Sequence, residues 1–439
     1  RIGSYVGTAG PGPFVYTGFE PAWLMIKEAS NTGNWCIYDN KRDTVNPNSK
    51  VLVANSSNAE SSYSSGYNVN FHTNGFEIAE NASNDLNTSG STYMFMAIAA
   101  NPDTTAPTKA NSFKAVLYTG NDGGSNNTSQ LINNVGLKPD LVWIKNRDYT
   151  YNHVLMDSVR GDDLILHSNT TDASASAYGG TLAIEETGFT TGKGDETNKG
   201  LSGYNEFVSW NWKALDHDRN LATINNNGSI PSIVSANPAA GFSIVKYTST
   251  GTSGSTVGHG LSSAPKIAIF KCTSTTGNWI TSITNVVSNK YLYLNTNSAG
   301  GTGGFSIDGT NITLNNTYGD ANTSGRTYIA YCWHSVAGYS KIGSYSGGSS
   351  GSSNVITVGF KPSFLMVKRT DQGGDAWNMF DIVRGGSDTF DNYLQADTSG
   401  AEASYSAREV TFANDGFYWT NAESGTNISG GTYIYMAFK

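Results

Sequence analysis

The sequence predicts an all-β protein made of tandem antiparallel β-sandwich repeats, and three observations carry that prediction. A ten-residue motif is written three times with small changes, as GFEPAWLMIK from Gly18, GLKPDLVWIK from Gly136 and GFKPSFLMVK from Gly359. A looser copy, GLSSAPKIAIFK, starts at Gly260. Turn formers and β-branched residues dominate, with 50 glycines among 439 residues and Asn, Ser and Thr throughout. Apolar residues reach 38% against 14% charged, the balance of many short strands around real cores rather than of disorder. A motif that returns at intervals of about a hundred residues marks a building unit, because an active site is normally built once.

Each copy is expected to run through the same elements. It opens on RIGSY at Arg1, FKAVLY at Phe113, FSIVKY at Phe242 or KIGSY at Lys341, where apolar and polar positions alternate as a half-buried strand requires. A Gly/Ser/Asn-rich turn leads into the motif. Its head (Gly18 and Pro21, Gly136 and Pro139, Gly260 and Pro265, Gly359 and Pro362) punctuates the entry, since Pro cannot donate to a ladder and suits a strand's first residue or edge. The run behind it, such as Leu24-Met25-Ile26, is apolar at successive positions and predicts an internal strand. Trp23 and Trp143 are expected in the core, and the closing Lys at the surface. A third strand starts at Trp35, His153, Trp279 or Trp377, and LVAN, LILHSN, YLYLNT or YLQAD follows. A Gly-aromatic pair then recurs at Gly75-Phe76, Gly188-Phe189, Gly304-Phe305 and Gly416-Phe417. A bulky strand closes each copy: TYMFMA, EFVSWNW, TYIAYCW or TYIYMAF.

These signals place sandwiches at residues 1–100, 112–214, 242–338 and 339–439. Residues 101–111 are expected to be a linker, and 215–241 a longer extended one that packs weakly. No linker separates the last two copies, which are expected to touch or to form one rigid rod segment. The opening RIGSYVG matches KIGSYSG at Lys341, so a further repeat is expected upstream in the parent protein.

Charge excludes several function classes. The formal net charge is −8 with no basic run, which argues against a nucleic-acid groove or an anionic membrane surface. No apolar stretch is long enough to span a bilayer. Three scattered cysteines, Cys36, Cys272 and Cys332, are expected to be buried thiols rather than a disulfide framework or zinc site.

Little catalytic chemistry is visible. Glu185 and Glu186 are adjacent, so on a strand they point to opposite faces and cannot form a glycosidase pair. Asp195-Glu196 sits in a Gly/Thr-rich stretch and reads as a solvated turn. The six histidines have no metal-ligand spacing, and Asp216-His217-Asp218 reads as a solvated loop. Asp-x-x-Arg recurs at Asp39/Arg42, Asp157/Arg160 and Asp381/Arg384, and reads as a turn braced by a local ion pair. All nine tryptophans fall in or beside the recurring strands and are expected in the core. Tyr63, Tyr178 and Tyr405 follow similar loops (AESSY, ASASAY, AEASY) and are the candidate ligand-contact residues. No cofactor or metal is expected.

Taken with NWCIYDNKRD, KNRD, LMDSVRG, TVGHGLSSAPK and the endings SGSTYMFMA and SGGTYIYMAF, the motif string resembles bacteriophage virion structural proteins. These carry tandem concanavalin-like (laminin-G-like) jelly-roll sandwiches in tail fibres and other appendages. The resemblance covers nearly the whole chain outside the linkers. It implies a non-enzymatic role at the virion surface or outside the cell, adhesion to a host-surface glycan or protein, and partners among virion proteins and other copies of the chain. Sugar-binding concanavalin-like proteins commonly hold calcium on acidic loops, and no matching residue set is found here. The alternatives are a decoration or filament protein without a ligand and a cell-surface lectin.

Overall fold

The repeated motif forms the internal strand of a sheet. In the computed structural model these strands are Pro21–Glu28, Leu141–Asn146, Ile267–Cys272 and Phe364–Arg369. Each lies antiparallel between the closing strand of its copy and the strand that begins at or just after the third-strand aromatic or His. The opening segments Ile2–Val6, Phe113–Thr119, Phe242–Thr248 and Ser340–Ser346 pair with the other edge of the closing strand. A smaller three- or four-stranded sheet packs behind each of these larger sheets and contains the Gly-aromatic segment or its neighbour. The fold is therefore all-β, with antiparallel sheets stacked as sandwiches. The described residues are 1–439 except 10–11, 18, 63–64, 73–74, 79–83, 100–111, 123–128, 178–181, 215–222, 316–318 and 349–354.

Backbone demands explain much of the punctuation. Gly136, Gly260 and Gly359 hold φ of +72°, +74° and +88°, a left-handed conformation that costs other residues. Pro21 is the first residue of its strand, and Pro139, Pro265 and Pro362 stand two residues ahead of theirs. At Gly75, Gly188 and Gly416 an added Cβ would lie 2.4, 1.8 and 2.1 Å from the carbonyl oxygens of Val15, Ile132 and Ile356. The paired strand approaches too closely for any side chain. Gly18 lies outside the described residues.

The chain divides into two compact units, Arg1–Ala106 with His217–Leu221, and Pro107–Asp216 with Ala222–Lys439. The smaller unit holds the first sandwich, whose core includes Tyr5, Leu24, Ile26, Tyr38, Phe76, Tyr93 and Phe95. The larger unit holds the other three, each with its own inter-sheet core.

A further core in the larger unit joins all three sandwiches. Alternation on the motif strand explains it: Val142 and Ile144 turn into their own sandwich, while Leu141 and Trp143 turn outward into the shared core. Ile267 and Ile269, then Phe364 and Met366, enter the same core from the other two sandwiches. Trp212 lies 6.0 Å from Trp333 and 5.7 Å from Phe438, ring centre to ring centre, so the three closing strands converge. The apolar run on both strand faces thus serves two cores. Rather than a rod, the last two sandwiches converge with the second.

Polar contacts repeat cyclically around this junction. Trp279 donates its indole N–H to the carbonyl of His167 at 2.9 Å, and Trp377 to that of Tyr293 at 2.9 Å. His153, in the equivalent position, has Nε2 3.0 Å from the carbonyl of Gln395. Backbone bonds follow the same cycle, from Ser174 N to Thr273 O, Gly300 N to Thr370 O and Glu402 N to Arg147 O. Each sandwich grips the next by the same atoms.

Three sequence expectations change. The closing lysines Lys145, Lys271 and Lys368 are fully buried, not at the surface. Each ammonium donates to two or more backbone carbonyls, among them Tyr149, Thr171 and Ser298, which compensates for lost water. Trp23 is only half-buried and Trp35 is 36% exposed, so two of the nine tryptophans are not core. The stretch read as an extended linker supplies strands Thr223–Asn225 and Ser232–Asn237, paired in turn onto Phe242–Thr248. Its alternating SIVSAN satisfies an otherwise open sheet edge. Residues 101–111 lie outside the described residues. The three cysteines are free and buried, as expected.

Candidate functional site

The second sandwich contains a cleft of about 650 Å³. Its apolar lining comes from Val154, Ile165, Ala177 and Leu182, and its charged rim from Asp122, Lys193, Asp195, Glu196 and Lys199. The rim is set by a single helical turn, Asp195–Asn198. An apolar wall with a few fixed polar groups is the usual make-up of a small-ligand pocket.

Two of the rim acids, Glu196 and Asp195, are committed to other bonds. Glu196 accepts from Asn152 Nδ2 at 2.9 Å and lies 3.0 Å from His167 Nε2. Burial works against its charge, yet His167 and Asn152 outweigh burial and hold the carboxyl below its ordinary range. Asp195 takes Lys199 at 2.8 Å and the Tyr151 hydroxyl at 3.2 Å. A carboxyl held ionised cannot serve as a general acid near neutral pH. Lys193 has no acidic partner among the described residues, and is the rim cation open to a ligand.

The Glu196 contact also has an architectural counterpart. Asn34 bonds Asp85 in the first sandwich, and Asn278 bonds Asp320 in the third. The recurring Asn before the third strand is therefore one half of a brace to an acid on a short helix. The Asn34, Asn152 and Asn278 recurrence was the available signal, but the acid lies more than 40 residues away.

Of the three candidate tyrosines, Tyr63 and Tyr178 lie outside the described residues. Tyr405 is 48% exposed at the entry to a 3-10 turn. Arg408 lies 5.8 Å from its ring and 4.7 Å from that of Tyr393. Asn378 and Glu423 fix that guanidinium at 3.0 and 3.1 Å. The result is a rigid aromatic-cation surface, located in the fourth sandwich and not at the cleft.

The Asp-x-x-Arg braces are structural, as expected, but deeper than expected in two copies. Arg160 Nε binds Asp157 Oδ2 at 2.5 Å and Arg384 Nε binds Asp381 Oδ2 at 2.6 Å, each pair essentially without exposure. Neighbouring sandwiches complete them: the Tyr331 hydroxyl donates to Asp157 at 2.7 Å, and the Trp210 indole to Asp381 at 3.0 Å. In the third sandwich the register puts Ile283 where the acid stands, and the residue equivalent to Trp210 and Tyr331 in the fourth is Met436. Donor and acceptor are absent together. Asp140 forms another joint, accepting from Ser158 at 2.6 Å, Ala214 N at 2.8 Å and Ser235 of the third sandwich's sheet at 3.2 Å. Burial raises its carboxyl to about 6 against those hydrogen bonds.

Among the described residues no group of three or more His, Cys, Asp or Glu could hold a metal ion. No helix among them is long and apolar enough to cross a membrane.

Residues 1–102 and 108–439 match the family model described as Domain of unknown function (DUF7483), and the chain belongs to that family. No curated protein and no solved structure matches it.

Proposed function

We propose that this family member is a non-enzymatic appendage protein of a virus particle, a tail fibre or other surface fibre, whose sandwiches form a rigid support for host-surface adhesion. One observation carries the reading: the groups best suited to chemistry are consumed in buried braces and in joints between sandwiches. Asp157, Asp381, Arg160 and Arg384 are buried braces, and His153 and three lysines bond backbone carbonyls. Such spending of charge suits a scaffold, not a catalyst. The Tyr405–Arg408 surface is the adhesive patch in this reading, directed at a host glycan or protein. Antibodies against the full chain test it by electron microscopy of phage particles. Label on projecting fibres is the expected result, and virions without the chain would overturn the reading.

The cleft of the second sandwich favours one alternative, a lectin. A glycan array probed with the full chain separates the two: sugar binding lost in Lys193→Ala supports the cleft, and binding lost in Tyr405→Ala supports the patch.

A further inference from the structure

We infer that the outer face of the first sandwich is a self-association surface on which two further copies of this chain close a trimer, independently of where the protein acts. The sheet registers align this face position by position with the three faces that meet in the larger unit. Ile2, Met94 and Ile98 are 78%, 47% and 52% exposed. Their register equivalents, such as Ile244, Val208 and Trp212, are at most 6% exposed and form the shared core. Trp23 and Met96, half-buried in the first sandwich, align with Phe364 and Met436 of that core. A contiguous apolar face of this kind marks an association site.

The occupant follows from how the chain already covers this face. Three times over, the cover is another face of the same kind, gripped in cyclic order by equivalent contacts. The polar grips of that junction have counterparts on this face. Trp35 aligns with Trp279 and Trp377, and its indole N–H has no acceptor among the described residues, while Val53 aligns with the accepting His167 and Tyr293. Glu60 aligns with Glu402: both bind the arginine of the Asp-x-x-Arg brace, Arg42 and Arg384, and Glu402 N also donates across the junction. Asp39 already accepts from Lys41 and Arg42, so it does not require the donor that Met96 fails to supply. Three identical faces close a cyclic assembly without leaving one open.

The test is the mass of the full chain in solution by sedimentation and light scattering at micromolar concentration. Three times the 46.7 kDa of the chain is expected. Met94→Glu and Ile98→Glu, both at exposed positions, are each expected to return the single-chain mass with an unchanged circular dichroism spectrum. A one-chain or two-chain mass for the native protein would overturn the inference and assign the face to another occupant. So would a three-chain mass that survives both substitutions.

Discussion

The first sandwich and the three that follow share one sheet plan, yet the same face is exposed in one unit and buried in the other. Trp35 is 36% exposed where Trp279 and Trp377 are at most 1%. The Asp39–Arg42 side chains are 17% and 25% exposed, whereas Asp381 and Arg384 are wholly buried. The strand pattern is therefore specified for burial on both faces, and the environment is supplied by what lies opposite. An ion pair that braces a turn in solvent becomes, under a neighbour's indole, a joint whose loss is costly.

Substitution at equivalent positions sharpens that contrast, beginning where the effect is largest. Arg384→Ala leaves the fully buried Asp381 without its guanidinium, while Glu402 keeps Arg147, and is expected to cost about 3–5 kcal/mol of the larger unit's stability. Trp279→Ala is expected to cost about 3–5 kcal/mol as a core truncation. Denaturant unfolding of the full chain, with hydrogen exchange to locate the loss, measures both, and near-neutral values would break the comparison.

A pH effect of intermediate size belongs to the larger unit alone, because Asp140 aligns with Ala22 in the first sandwich. Its folded carboxyl is raised to about 6, above the ordinary value of about 4. The folded state then binds the proton more tightly, so this contribution is full below pH 4 and is lost as pH rises through 6. The loss is on the order of 2–3 kcal/mol. Asp140→Asn should flatten that segment of the stability profile, and an unchanged slope would assign the dependence elsewhere. Smallest of all, Arg42→Ala and Trp35→Ala are each expected to change the stability of the dissociated chain by under about 1 kcal/mol. Losses matching those at Arg384 and Trp279 would mean the first face is already covered within one chain.

Most strands were legible because period-two alternation and glycine punctuation are local properties. Partner choice was not. The run Leu24-Met25-Ile26 states that both faces want cover, but nothing local separates the face that meets its own sheet from the face that meets another sandwich. The same ambiguity misplaced Trp23, whose equivalents Leu141, Ile267 and Phe364 are buried by neighbours. Lys145, Lys271 and Lys368 looked like surface strand ends because their carbonyl cages come from turns and, for two of them, from another sandwich. The cleft was invisible for a related reason: Asp122, Val154 and Lys199 meet only after the sheets stack. Tyr405 could be read from its loop composition, while its rigid Arg408 backing depends on Asn378 and Glu423, distant in sequence.

The central claim is that the outer face of the repeated strand is a surface for joining sandwiches, within a chain and between chains. Cryo-electron microscopy of the purified full chain, at a resolution that traces side chains, tests it most directly. Three first sandwiches are expected around one axis, with Ile98 from each chain at the centre and Trp35 against the neighbouring Val53 carbonyl. Single chains with Ile98 and Met94 facing solvent would contradict it.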